Sequence, residues 1–290
     1  MRYQQFIVMM EKVVINSNAK VNIGLKVLKK KDDGYHDIVT IFQEIDFYDI
    51  ITLTKNSHGC NFNSNVDWLQ NDENNLCVLA YKIMDKNYGI GGLNIDLNKK
   101  IPPGSGLGGG SSNAASIMKG VCDLYGLSVT RNELEHIAVD IGADVPFFIN
   151  GSTQLGEGIG QRLTPLKKKI CGKYLIIIPD IVIETSWAYS QFKNGLDTSG
   201  SSINFADLLN KKTVSFNKLK LIENDFESIV IPAYPEIGKI KEKLCALGAQ
   251  YASLSGSGST VFGIFNDEAL LRKAFSYFTP KYNTFISYPV

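Results

Sequence analysis

The sequence is short of several things that would point to particular functions. It has no excess of either charge: 30 Lys and Arg stand against 29 Asp and Glu, so there is no electrostatic footprint for nucleic acid, and a small-molecule partner is expected instead. Its five cysteines, Cys60, Cys77, Cys122, Cys171 and Cys245, are odd in number and widely spaced. That excludes a disulfide framework or a zinc site and reads as free thiols in a reducing compartment. No apolar run is long enough to span a bilayer, and the N-terminal MRYQQFIVMMEK has an apolar stretch of only about five residues, too short for a signal-peptide core. A cytoplasmic protein with no membrane or obligate protein partner is expected. The patterned sequence begins at Glu11, which leaves Met10 as an alternative start to Met1. Internal repeats are also lacking.

What is present is an ordinary globular composition, 44% hydrophobic and 20% charged, over 290 residues. That length is near the limit of a single core, so one large or two modest domains are expected. The β-branched VVINSNAKVNIGLKVLK, Val13 to Lys29, reads as paired strands or one long bent strand, and DDGYHD as the turn after it. IVTIFQEIDFYDIITL continues as strand. Asn74 to Asn87 reads as a helix with Leu76, Leu79, Ala80, Ile83 and Met84 on one face. Ser111 to Tyr125 is a helix stopped by Gly126. A further helix opens on the capping box Thr130 to Glu133 and turns Leu134, Ile137, Ala138 and Ile141 inward. Pro146 in GADVPFFI prevents a helix from continuing past Asp144 and leaves that residue at a helix end or in a loop. Beyond Gly160 come a buried strand in GKYLIIIPD, the partly loop-like SSINFADLLNKKTVSFN, and an amphipathic helix in YPEIGKIKEKLCALGA. The strand, glycine turn and strand of YASLSGSGSTVFGIF follow. A domain boundary is expected near residue 160, giving domains 1–160 and 161–290.

One stretch carries chemistry. Ile101 to Ala115, IPPGSGLGGGSSNAA, sets five glycines ahead of a helix. Bare backbone turns its N–H groups into a concavity, and a helix N-terminus adds its positive dipole end, an arrangement suited to phosphate. A flexible linker is the bland reading. The patterned segments on both sides and the apolar Leu107 between glycines weigh against it. The stretch also matches the dinucleotide fingerprint GxGxxG, but roughly a hundred residues precede it, Pro102 and Pro103 interrupt the strand, and another helix follows, so the βαβ context of a dehydrogenase is missing. Walker A needs a lysine where Ser111 stands, and the eukaryotic protein-kinase loop needs HRD and DFG, which are absent. The cation for the phosphate must then come from elsewhere, Lys20 and Lys99 being the candidates in pattern terms.

PPGSGLGGGSSNAA resembles the signature of the superfamily of small-molecule kinases that includes galactokinase, homoserine kinase, mevalonate kinase and phosphomevalonate kinase (GHMP kinases). SLSGSGSTVFGIF, about 140 residues on, resembles that superfamily's third glycine motif. Within it, AKVNIGLKVLKKKDDGYHDIVTIFQEID and GADVPFFI resemble the diphosphocytidyl-methylerythritol kinases, and the likeness runs from about Ala19 to Phe265. The resemblance implies an α+β, two-domain GHMP-kinase-like fold. Its N-terminal domain is like that of a small-subunit ribosomal protein, its C-terminal domain is ferredoxin-like, and the active site lies in the cleft between them. It also implies ATP and Mg2+ as cofactors and diphosphocytidyl-methylerythritol as the small-molecule substrate.

Site residues follow from the resemblance position by position. Asp144 is implied as the base that accepts the hydroxyl proton, with Lys20 stabilising it; as residues alone they read as a loop aspartate and a solvated strand lysine. Gly104, Ser105, Gly106, Leu107, Gly108, Gly109 and Gly110 are implied around the triphosphate. Ser111 and Ser112 are there too, and also suit N-caps. Asn75 and Lys99 are implied near adenine, though by themselves they are ordinary polar surface residues. Asn22 is implied at the methylerythritol hydroxyls, and Tyr35 and His36 at the cytidine end. A second stacking ring is expected from Trp187, Tyr189 or Phe192, with the spacing from Thr185 favouring Tyr189. The serine-glycine run Ser255 to Ser259 reads as a tight turn or as a loop shaping the phosphate region. Another kinase of the superfamily and a non-catalytic nucleotide-binding protein are the rival readings.

Overall fold

A computed structural model describes residues 10–166, 170–192, 219 and 221–290. SSINFADLLNKKTVSFN lies outside the described residues. The chain passes back and forth between two compact units, Met1–Ser17 with Tyr48–Lys100 and Gly110–Ile149, and Asn18–Phe47 with Ile101–Gly109 and Asn150–Val290.

The two long strands that thread both units are β1 (Lys12–Lys30) and β2 (His36–Asn56), paired with each other. The Val13–Lys29 segment is therefore one strand. The turn between them closes through Gly34, whose φ of 89° suits glycine and whose N–H donates to the Lys31 carbonyl at 3.1 Å.

In the first unit the end of β2 pairs antiparallel with β4 (Gly92–Asn98), and β4 pairs parallel with β3 (Cys60–Ser64). Helix α1 (Leu76–Tyr88) is N-capped by Asn75, whose side chain accepts from the Cys77 N–H, and ends at Gly89 with φ of 60°. Its buried face is Cys77, Val78, Ala80, Tyr81 and Met84, whereas Leu76, Leu79 and Ile83 are half-buried. The sequence pattern placed the apolar stripe about one position off, because it gave no weight to Cys77 and Tyr81 as core residues.

Helix α2 (Gly109–Tyr125) packs through Gly120, where a Cβ would meet the Ile15 and Leu53 side chains at 2.3 and 2.7 Å. Helix α3 (Arg131–Ala138) carries the expected capping box but stops before Ile141, which is buried beyond its end. A short helix α4 (Val145–Asn150) follows at once. As expected, no helix continues through Asp144, which lies in the turn between α3 and α4, and Pro146 falls in the first turn of α4, which needs no N–H from it. Asp144 stands immediately before α4 and is half-buried.

In the second unit the start of β2 pairs with β5 (Thr153–Gly158), which pairs with β6 (Arg162–Pro165), both antiparallel. A separate antiparallel sheet has the order β10-β7-β9-β8, from β7 (Lys173–Ile178), β8 (Tyr251–Leu254), β9 (Val261–Phe265) and β10 (Asn283–Ser287). Among the described residues four helices accompany it: α5 (Thr185–Ser190), α6 (Glu227–Ala233), α7 (Pro235–Ala246) and α8 (Glu268–Phe278). Helix α7 buries Ile237, Ile240 and Leu244 as its periodicity indicates, and Leu247 is half-buried. Among the described residues no helix is long and apolar enough to cross a membrane.

Candidate active site

The glycine-rich loop is shaped by its own backbone. Gly104, Gly106 and Gly108 have φ of 62°, 78° and 70°, so alternate residues are left-handed, the local pattern that turns consecutive N–H groups to one side. Leu107 is fully buried and anchors the loop. Ser105 is buried and closes the turn, donating from Oγ to the Pro102 carbonyl at 2.8 Å. Directly after the loop α2 begins, and the first four N–H groups of a helix have no acceptor within it.

The serine-glycine run does more than turn the chain. Ser255 Oγ donates to the Gly106 carbonyl at 2.8 Å and accepts from the Asn22 N–H at 3.3 Å. Ser105 accepts from the Thr260 N–H at 3.1 Å. A Cβ at Gly106 would lie 2.1 Å from the Ser255 carbonyl oxygen, so only glycine fits there.

Lys20 is not the solvated strand lysine that its residue type suggested. It is 4% exposed, its Nζ donates to Asn22 Oδ1 at 2.6 Å and to the Gly106 carbonyl at 3.2 Å, and its N–H donates to the Leu107 carbonyl. The pattern hides this, because burial of a charged strand residue depends on a loop some eighty residues away in sequence. Asn22 Nδ2 in turn donates to Thr40 Oγ1 at 3.0 Å, and that hydroxyl donates to the Gly24 carbonyl at 2.6 Å. Thr40, fully buried, was not foreseen.

At the far end of β1 the His36 ring is buried and stacks on Tyr189, centroids 5.2 Å apart and planes at 20°. Tyr189 rests edge-on against Phe226, and Phe192 lies 6.3 Å from the His36 ring. Trp187 instead meets Tyr234 edge-on. Tyr35 projects outward, 61% exposed. Burial, helped by the charge of Lys30, holds the His36 pKa below its usual value, which favours the neutral ring. Its buried Nε2 has no hydrogen-bond partner among the described residues.

The remaining site residues lie in the first unit: Asn75, Lys99, Gly110, Ser111, Ser112 and Asp144. Asn75 and Lys99 are buried, not the surface residues that their type suggested. Asn75 caps α1 through its carbonyl oxygen, and its Nδ2 donates to the Gln70 carbonyl at 2.8 Å. Lys99 forms an ion pair with Asp49, which is wholly buried and also accepts from the Lys100 N–H at 2.6 Å and Asn113 Nδ2 at 2.9 Å. Ser112 Oγ meets Ser17 Oγ at 2.8 Å. Asp49 was missed in the sequence; its one signal is an acid inside the apolar strand FYDIITL.

Comparison with known proteins bears on this arrangement. The model for the GHMP kinases N terminal domain matches residues 75–152, and that for the GHMP kinases C terminal domain matches residues 205–283. A 4-diphosphocytidyl-2-C-methyl-D-erythritol kinase from Thermodesulfovibrio yellowstonii is 40% identical over 90% of this chain and 92% of its own. The chain belongs to this kinase family. A second such kinase, from Geobacter metallireducens, is 38% identical over 91% of this chain and 93% of its own. A crystal structure of a 4-(cytidine 5'-diphospho)-2C-methyl-D-erythritol kinase superposes with a TM-score of 0.80 at 28% identity, covering 96% of this chain and 99% of that one. A homoserine kinase from Cytophaga hutchinsonii matches in fold alone, with a TM-score of 0.73 at 18% identity over 98% of this chain and 96% of its own. The protein is thus a small-molecule kinase of the α+β GHMP fold that uses ATP.

Proposed function

We propose that the enzyme transfers the γ-phosphoryl group of ATP to the 2-hydroxyl of 4-diphosphocytidyl-2-C-methyl-D-erythritol, in the methylerythritol phosphate route to isoprenoids. The observation that carries the reading is Lys20: a buried ammonium bonded both to the glycine loop at Gly106 and to Asn22. A cation held there supports a phosphate loop that lacks a lysine of its own.

In this reading Asp144 takes the proton of the acceptor hydroxyl, whose oxygen bonds to the γ-phosphorus. The bond from that phosphorus to the β,γ-bridging oxygen breaks, and ADP leaves. Lys20 stabilises Asp144 as the carboxylate and offsets charge on the transferred group. Residues Gly104 to Ser112 receive the triphosphate and Asn75 and Lys99 border adenine. Asn22 orients the methylerythritol hydroxyls, and Tyr35, His36 and Tyr189 receive cytosine. The stacked His36 and Tyr189 rings and the unpartnered Nε2 of His36 support a planar base with polar edges as occupant. Mg2+ accompanies ATP in this reading, where it would supply positive charge to the phosphates; among the described residues no three His, Cys, Asp or Glu side chains gather to hold a metal. The division into domains 1–160 and 161–290 remains a proposal; the two family matches fall on either side of residue 160.

The test is ATP consumption with the cytidine acceptor beside homoserine, mevalonate and galactose. Phosphorylation of the cytidine acceptor alone is expected, and preference for another acceptor would overturn the substrate. Asp144→Ala is expected to lower kcat by about 100-fold or more, the scale of general-base catalysis, with ATP still bound. Retained turnover would remove Asp144 as the base.

A further inference from the structure

The glycine-rich loop has two stems, the residues entering it after β4 and the first turn of α2 leaving it. Both stems are tied to one carboxylate. Asp49 Oδ1 accepts from the Lys100 N–H at 2.6 Å, and Oδ2 accepts from Lys99 Nζ and, at 2.9 Å, from Asn113 Nδ2. Lys99 and Lys100 directly precede the loop, and Asn113 follows it. The cluster is sealed: Asp49 is 0% and Asn113 1% exposed.

It is also fixed from two other directions. Asn113 Nδ2 lies 3.0 Å from Ser17 Oγ on β1, and Ser17 Oγ meets Ser112 Oγ at 2.8 Å. Asn65 holds the entering stem from outside, accepting from the Lys99 N–H at 2.6 Å and donating to the Lys99 carbonyl at 3.2 Å.

We infer that Asp49 is a positioning residue for ATP, a buried staple that joins the entering and leaving stems and so holds the glycine loop in its phosphate-receiving form. The physical reason is loop closure. A loop carrying several glycines has many open conformations, and fixing its two ends on a single buried anion removes most of them before the nucleotide arrives. Burial makes the staple rigid, since a carboxylate deprived of water holds its donors strongly and tolerates the loss of any of them poorly. Asp49 touches no substrate in this scheme and acts through the groups it holds, the Lys100 N–H and the Lys99 and Asn113 side chains.

The inference rests on the reading of the glycine loop as the ATP phosphate site, so the experiment includes a loop variant. ATP binding by calorimetry, and KM for ATP and for the cytidine acceptor, are measured for the wild type, Asp49→Asn, Asn113→Ala and Gly106→Ala, with the folded fraction of each from thermal melting. Asp49→Asn is expected to raise the Kd and KM for ATP by 10-fold or more. Asn113→Ala, which leaves the Lys99 pair in place and so guards against a failure to fold, is expected to raise them about 3-fold to 10-fold, the worth of one hydrogen bond. In both, the acceptor KM stays within 2-fold of the wild type. If Gly106→Ala weakens ATP binding while both staple variants bind as the wild type does, the inference about Asp49 is overturned and the phosphate-loop reading stands. If Gly106→Ala is folded and binds ATP normally, the phosphate-loop reading itself fails. Losses that affect ATP and acceptor equally and follow the unfolded fraction would reduce Asp49 to a structural residue.

Discussion

The two glycine loops of this enzyme look alike in sequence and differ in what they do. In the first, Gly104 and Gly110 are exposed and a Cβ at Gly104 would meet nothing within 4 Å. In the second, every residue from Ser255 to Ser259 is buried, and Ser255 holds the first loop at Gly106. One loop has backbone to present, while the other spends its backbone and hydroxyls on keeping the first in shape. Glycine content alone therefore does not mark a ligand loop.

The largest effect should come from abolishing this difference at Gly106. Gly106→Ala combines a left-handed φ of 78° with a Cβ 2.1 Å from the Ser255 carbonyl oxygen, so backbone must move; a loss of about 3 kcal/mol or more is expected. Gly104→Ala has the same handedness, φ of 62°, but open space around it, and should cost only about 1 to 2 kcal/mol of backbone strain. Denaturant melts of the pair decide the matter, and equal losses would mean that the loops are not in the contact described.

A smaller effect is expected from Ser255→Ala, which removes the hydroxyl shared by Asn22 and Gly106. Gly106 keeps its bond from Lys20, so the loss should be about 1 to 2 kcal/mol of stability. A severalfold rise in KM for ATP should accompany it, and an unchanged KM would show that the first loop keeps its shape unaided.

The smallest effect concerns the ring platform beside the second loop. Because burial lowers the pKa of His36 below the usual 6.5, the unfolded chain binds a proton more readily than the folded one. Stability is then full above pH 6.5 and declines as pH falls through that value toward the lower folded pKa. His36→Phe should flatten this part of the curve. Melting temperatures at several pH values would check it, and an identical acid slope in the variant would assign the loss to other groups.

Local signals were written plainly in the chain. The capping box at Thr130, the turn at Gly34 and the stop at Gly126 depend on residues a few positions apart, and they appear where the sequence puts them. The motifs of the glycine loop and of Ser255 to Ser259 were likewise legible, and with them the kinase family. What could not be read was the state of individual polar residues. Lys20, Asn75 and Lys99 looked like surface residues because their type is normally solvated, and the partners that bury them lie at Gly106, Gln70 and Asp49. Asp49 drew no attention at all, as an isolated acid in a strand has no local partner to betray it.

The sequence by itself determined the two long strands, several of the helices, the two glycine motifs and the family, because these rest on short-range backbone preference and on ordered residue identities. Tertiary structure alone decided which glycine must remain glycine, which lysines are buried, and that one carboxylate bonds to both stems of the glycine loop. Each of these depends on groups far apart in the chain brought within a few ångströms, where the cost of an unpaired buried charge or an overlapping atom selects a single arrangement.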